Sequence, residues 1–170
     1  RKNGQCSWKL FYFFHNITLT NLIRLIICLF INLQKTQKRI IKIIMTESKT
    51  EEIAKLIAQA LIFKQEGDLL NAEINLKKVL KYEPDNFIAL NNLGNICSLK
   101  NDLKNAKFFF LKAINIKSDY SNAIFNLALN NEEMGNKKEA VELYKNAIKY
   151  DPHNLGFYYN LSRIDETFST

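Results

Sequence analysis

The sequence predicts an all-α fold, a superhelix of helix–turn–helix units repeated with a fixed period of 34. Three observations carry that expectation. Ala72, Ala106 and Ala140 recur at exact steps of 34. The spacing of Gly67 from Gly135 equals that of Pro84 from Pro152, and both are twice the same period. Between these markers apolar residues recur at helical spacing. A fixed period in this range marks an array of like supersecondary units. Each unit in such an array buries its apolar face against its neighbours.

The elements follow in order. Ile53, Leu56, Ile57, Ala60, Leu61 and Phe63 give one amphipathic helix. It stops at Glu66-Gly67-Asp68, where glycine supplies the positive φ needed after a helix end and the aspartate can cap the next helix. Leu69, Ala72, Leu76, Val79 and Leu80 form the stripe of a second helix. Glu83-Pro84-Asp85-Asn86 closes the unit, because proline cannot continue a helix and biases the residue before it away from helical geometry. Residues 53–86 are thus a first unit, 87–120 a second with its turn at Lys100-Asn101-Asp102, and 121–154 a third with its turn at Met134-Gly135-Asn136. Residues 155–170 read as a further helix with Tyr158 and Leu161 in register.

These residues resemble the tetratricopeptide repeat family. Phe87-Ile88-Ala89-Leu90-Asn91-Asn92-Leu93-Gly94 is similar to the opening of its motif. Ala106, Phe110 and Ala113 match the small, aromatic and small positions of its second helix. Their counterparts in the third unit are Ala140, Tyr144 and Ala147, closed by Pro152. The first unit matches less fully, through Ala72, Leu76, Val79 and Pro84. Small residues let two helices approach, and an aromatic fills the hole against the next unit. The second unit departs from the pattern with Ser118 in place of proline and Asn101 in place of glycine. Asparagine tolerates the left-handed conformation, so the turn is expected to survive. The resemblance spans residues 51–168, about two thirds of the chain, and implies a right-handed α-α superhelix, a tetratricopeptide repeat solenoid.

The net charge of +7 sits in one place. Residues 1–44 carry eight bases and no acid, whereas from Met45 sixteen Lys and Arg face seventeen Asp and Glu. A nucleic-acid partner for the repeats therefore loses its support. Residues 10–33 are the membrane candidate, but His15, Asn16, Thr18, Thr20, Asn21, Arg24 and Asn32 interrupt them. The longest apolar run, residues 25–31, is seven residues against roughly 20 for a spanning helix. Three readings of this basic, apolar leader stand open. It is upstream sequence read through, with Met45 as the true start; or a weak anchor holding the repeats on the cytoplasmic side of a membrane; or an interfacial or disordered arm. Residues 45–52 lead into the first unit.

No catalytic constellation is legible. His15 and His153 cannot build a metal cluster or a triad, and no glycine-rich phosphate loop occurs. No cofactor and no metal is expected. Glu132-Glu133 reads as a solvated pair. Cys6, Cys28 and Cys97 lack a paired spacing, which argues against a disulfide framework, and Cys97 reads as a small core residue. Of Phe108-Phe109-Phe110, one or two can face the core, and the rest cover a junction or form an exposed patch.

The resemblance implies a function as well. In this family the first helices line a concave groove that holds extended peptides. The sixth residue of successive units is Asn92, Asn126 and Asn160, again at steps of 34, with Ala58 in the first unit. This is similar to the asparagine ladder of O-linked N-acetylglucosamine transferases, where amides contact a bound peptide's backbone. A carboxamide suits that task because it both donates and accepts. Asn92, Asn126 and Asn160 are the candidate peptide-binding residues expected to face solvent, and Asn91 and Asn95 beside them are further candidates for the groove. The family's carboxylate clamp, which holds the acidic tail of heat-shock chaperones, needs cations where this chain has Ile57, Leu61, Asn122 and Asn126; only Asn92 matches. The expected protein is a non-enzymatic, cytoplasmic interaction module or scaffold with a protein or peptide partner. Its rival is the repeat region of a glycosyltransferase- or sulfotransferase-type protein with a catalytic domain beyond residue 170.

Overall fold

The computed structural model describes residues 5–166, with side chains described for residues 21, 23, 24 and 26–164. Among the described residues there are seven helices and no strand: α1 (Gln5–Gln65), α2 (Leu69–Tyr82), α3 (Phe87–Leu99), α4 (Leu103–Ile116), α5 (Ser121–Glu133), α6 (Lys137–Tyr150) and α7 (Leu155–Glu166). The chain divides at Thr50 and Glu51 into two units. The first holds the N-terminal part of α1, whose described large apolar side chains are exposed. The second is an all-α helical repeat. There the end of α1 packs with α2, α3 with α4, and α5 with α6, while α7 lies on α6.

Three turns of one design join the helices within each pair. Gly67, Asn101 and Gly135 have φ of 82°, 60° and 83°. At each, two backbone N–H groups close on the helix just ended. Asp68 N donates to Phe63 O and Gly67 N to Lys64 O; Asp102 and Asn101, then Asn136 and Gly135, do the same. That pattern satisfies the carbonyls a helix end leaves over. Asn101 therefore does take the left-handed place that glycine holds in the other units. Asp68 and Asp102 then cap the following helices by accepting from the backbone N of Asn71 and Asn105.

The core repeats with the same register. Ala72, Ala106 and Ala140 are fully buried, as are Val79, Ala113 and Ala147 at the next small position. Size is matched across each helix pair at the eighth and twenty-fourth residues of the unit. Ala60 shares a cluster with Leu76, and Ala128 with Tyr144. In the middle pair Gly94 lies against Phe110 so closely that a Cβ there would meet the ring at 2.4 Å. Glycine at 94 is therefore a packing requirement, set by the large ring opposite. Pro84 and Pro152 stand in the loops that end α2 and α6.

One expectation about apolar residues needs correction. Tyr158 is 44% exposed, and the inward place on α7 belongs to Phe157 and Ile164, with Leu161 half-buried. The reason is an aromatic partner: Phe157 stacks on Phe125 with ring centroids 4.6 Å apart. In the phenylalanine triplet Phe110 is buried, Phe109 is half-buried against two clusters, and Phe108 is exposed. Lys112 lies over the Phe108 ring at 4.8 Å. Phe168 and the side chains of Cys6 and His15 lie outside the described residues.

Candidate functional site

The candidate face belongs to the first helices of the units: residues 51–65 of α1, then α3, α5 and α7. Steps of 34 put Asn92, Asn126 and Asn160 at one position on these helices, but not at one depth. Asn92 is 8% exposed and donates from Nδ2 to the carbonyl of Ile88. Asn160 makes the same bond to Gly156 while staying half-buried. Asn126 is half-buried too, but its Nδ2 donates instead to Oδ1 of Asn91 across the gap between α3 and α5, at 2.9 Å. Asn91 is itself 5% exposed. Asn95 is half-buried. The expectation of a solvent-facing asparagine ladder is thus corrected at Asn92, and Asn91 beside it is buried as well. Their amides are spent on the fold, because a buried carboxamide needs partners within the protein.

What remains open on this face is mixed in character. Asn122 is exposed beside half-buried Phe125 and Asn126 on α5. On α7 Tyr159 is 68% exposed next to Asn160. Arg163 donates to Asn160 Oδ1 at 3.4 Å and pairs with Glu132 at 2.7 Å. The positions a carboxylate clamp would fill with cations hold half-buried Ile57, exposed Leu61, Asn122 and Asn126. This geometry offers amide donors and acceptors with aromatic and aliphatic surface, and in Arg163 a cation already engaged by an acid.

Glu132 is no solvated acid, as its neighbour Glu133 is. It accepts from the Tyr144 hydroxyl at 2.9 Å and from Arg163, so one carboxylate joins α5, α6 and α7. Burial, and then the bond to Glu132, pushes the Tyr144 hydroxyl well above the ordinary tyrosine range. A second acid does comparable work between units. Glu73 on α2 holds Lys100 and Lys77, and their hydrogen bonds, Lys100 first, pull its carboxyl below the usual value. Buried amides add a third set that the period gave no sign of. Asn130 and Asn131 are each 1% exposed; Asn130 Nδ2 donates to Leu103 O, and Asn131 Oδ1 accepts from Lys107 Nζ. Cys97 is half-buried, and its burial pushes the thiol up, away from the reactive thiolate.

Among the described residues no group of three His, Cys, Asp or Glu side chains is placed to hold a metal ion. None of their helices is long and apolar enough to cross a membrane.

Family models of the tetratricopeptide repeat match residues 56–86, 88–120 and 121–154, together more than half of the chain. The chain belongs to the tetratricopeptide repeat family. Among curated proteins there is no match. Solved structures share the fold at low identity. The first TPR domain of Spaghetti (RPAP3), bound to the HSP90 peptide SRMEEVD, superposes with a TM-score of 0.65 at 15% identity, covering 71% of this chain and 95% of that one. The Sgt2 TPR domain from Aspergillus fumigatus gives 0.65 at 21%, covering 69% and 80%. An O-GlcNAc transferase mutant from Thermobaculum terrenum gives 0.66 at 21%, covering 68% of this chain and 22% of the transferase.

Proposed function

We propose that the repeats bind an extended peptide segment of a protein partner along the face made by α3, α5 and α7. The observation that supports this most is the run of amides on the first helices, of which Asn95, Asn126 and Asn160 keep partial exposure. A peptide laid across them would be read largely through its backbone, since a carboxamide can pair with either half of a peptide unit. Tyr159 and Phe125 supply apolar contact for side chains. Affinity is then modest and tolerant of sequence. The acidic peptide seen on the Spaghetti domain is not the expected ligand, because the clamp positions here carry no cation. The partner is a protein or peptide, and no cofactor or nucleic acid is required by this reading.

The likeness to the transferase supports one other reading. There the same face would present a protein substrate to a catalytic domain outside residues 1–170. Both readings require the peptide face, and whether a catalytic domain follows Thr170 distinguishes them.

The test is fluorescence anisotropy with a library of labelled, neutral, extended peptides. Replacing Asn95, Asn126 and Asn160 together with Ala should weaken binding by roughly thirty- to 150-fold, as expected for two or three lost hydrogen bonds of about 1 kcal/mol each. Unchanged affinity in the triple variant would remove these amides from the site.

A further inference from the structure

The N-terminal part of α1 carries a second pattern, separate from the repeats. Around the axis of a helix turning about 100° per residue, Arg24, Lys35, Lys38, Arg39 and Lys42 fall within an arc of about 100°. These five bases run along about 27 Å of helix at 1.5 Å per residue. On the opposite side Ile26, Leu29, Phe30, Leu33, Ile40 and Ile44 share an arc of similar width, and each is between 55% and 61% exposed. Thr36 and Gln37 are the polar intruders at that apolar side. Thr36 satisfies its hydroxyl on its own helix by donating to the carbonyl of Asn32. Cys28 and Ile31 are the apolar residues within the basic arc.

Charge complementarity selects the occupant. Residues 1–44 contain eight bases and no acid, so the surface that meets this helix is anionic. The apolar arc is wider than the narrow seam a paired helix covers, and two copies side by side would bring like charges together. Nucleic acid would leave the apolar side in water. We infer that residues 23–45 lie on the surface of an anionic phospholipid bilayer, with the isoleucine-rich side in the acyl boundary and the bases among the headgroups. A basic amphipathic helix has this physics: apolar burial and headgroup attraction act together, and the helix lies in the interface rather than spanning it. This inference stands apart from the peptide face and does not depend on it.

The experiment is co-sedimentation of the full chain with vesicles of phosphatidylcholine alone, or containing about one quarter phosphatidylserine. Binding to the anionic vesicles should exceed binding to the neutral ones by at least about ten-fold and should fall as salt is raised. Lys35→Glu, Lys38→Glu and Lys42→Glu together should reduce it by about a hundred-fold or more. Leu29→Asn with Leu33→Asn should abolish it at any salt. The thermal midpoint of the repeats, whose core begins at Ile53, reports whether each variant is folded, and the salt series on the unaltered chain needs no variant. Equal binding to both vesicle types would overturn the inference. So would sedimentation without lipid, which indicates self-association, or displacement from vesicles by a single-stranded RNA at lower concentration than by anionic lipid.

Discussion

Gly94 is set by one contact. Alanine is the better helix former by about 1 kcal/mol, so on propensity alone Gly94→Ala would stabilise α3. The added Cβ would stand 2.4 Å from the Phe110 ring, which is 1% exposed and has nowhere to turn. Overpacking of about 1–3 kcal/mol therefore wins, and the urea midpoint should fall. Adding Phe110→Leu recreates the Ala60 and Leu76 pairing of the first unit, and the double variant should cost less than the sum of the two single ones. Tyr144 gives a residue-scale test with a pH axis. The folded state keeps its phenol neutral where the unfolded chain releases the proton. Its contribution is therefore full below about pH 10 and is lost as pH rises toward the raised folded value. Tyr144→Phe should cost about 0.5–1.5 kcal/mol near neutrality through the lost bond to Glu132. The difference from the unaltered protein should shrink in urea melts at about pH 11. A difference that is constant across pH would mean that Tyr144 is not held neutral by its surroundings.

The helix pair is the scale at which the sequence was most informative. The left-handed residue, the buried small residues and the large residue opposite each recur once per unit, so their places could be read from the chain alone. Asn101 is the useful exception, since it holds φ of 60° with a side chain. Asn101→Gly should leave the midpoint unchanged or slightly raised, while Asn101→Ala should cost about 1 kcal/mol, because alanine keeps the Cβ but lacks the short polar side chain that lets asparagine settle in the left-handed region. Equal melting of the two variants would show that the turn has other ways to close. What stayed illegible has a different origin. The Glu132, Tyr144 and Arg163 group joins positions 12 and 31 apart, separations that the period does not generate. The asparagine positions were legible and their depths were not. Period fixes direction around a helix, but how far a side chain is covered depends on neighbours that differ from unit to unit. Asn126 reaching Asn91, where Asn92 and Asn160 bond within their own helices, is the case in point.

For the whole molecule, sequence and structure divide the chain into parts with different chemistry. From Met45 the charge is nearly balanced, and the repeats bury their small residues and the rings of Phe110, Tyr144 and Phe157 while leaving amides and apolar side chains on the first helices. Before Met45 the chain is basic throughout, and its described large apolar side chains are open. A peptide along α3, α5 and α7 and a bilayer beneath residues 23–45 are separate inferences and can fail separately. The central one concerns which face of the repeats meets the partner. Amide chemical-shift mapping of the isotopically labelled chain during titration with a bound neutral peptide tests it most directly. Perturbations are predicted at Asn95, Asn122, Asn126 and Tyr159 to Arg163. Shifts confined instead to α4 and α6, around Phe108, Leu111 and Glu142, would place the partner on the second helices and overturn the proposed peptide face.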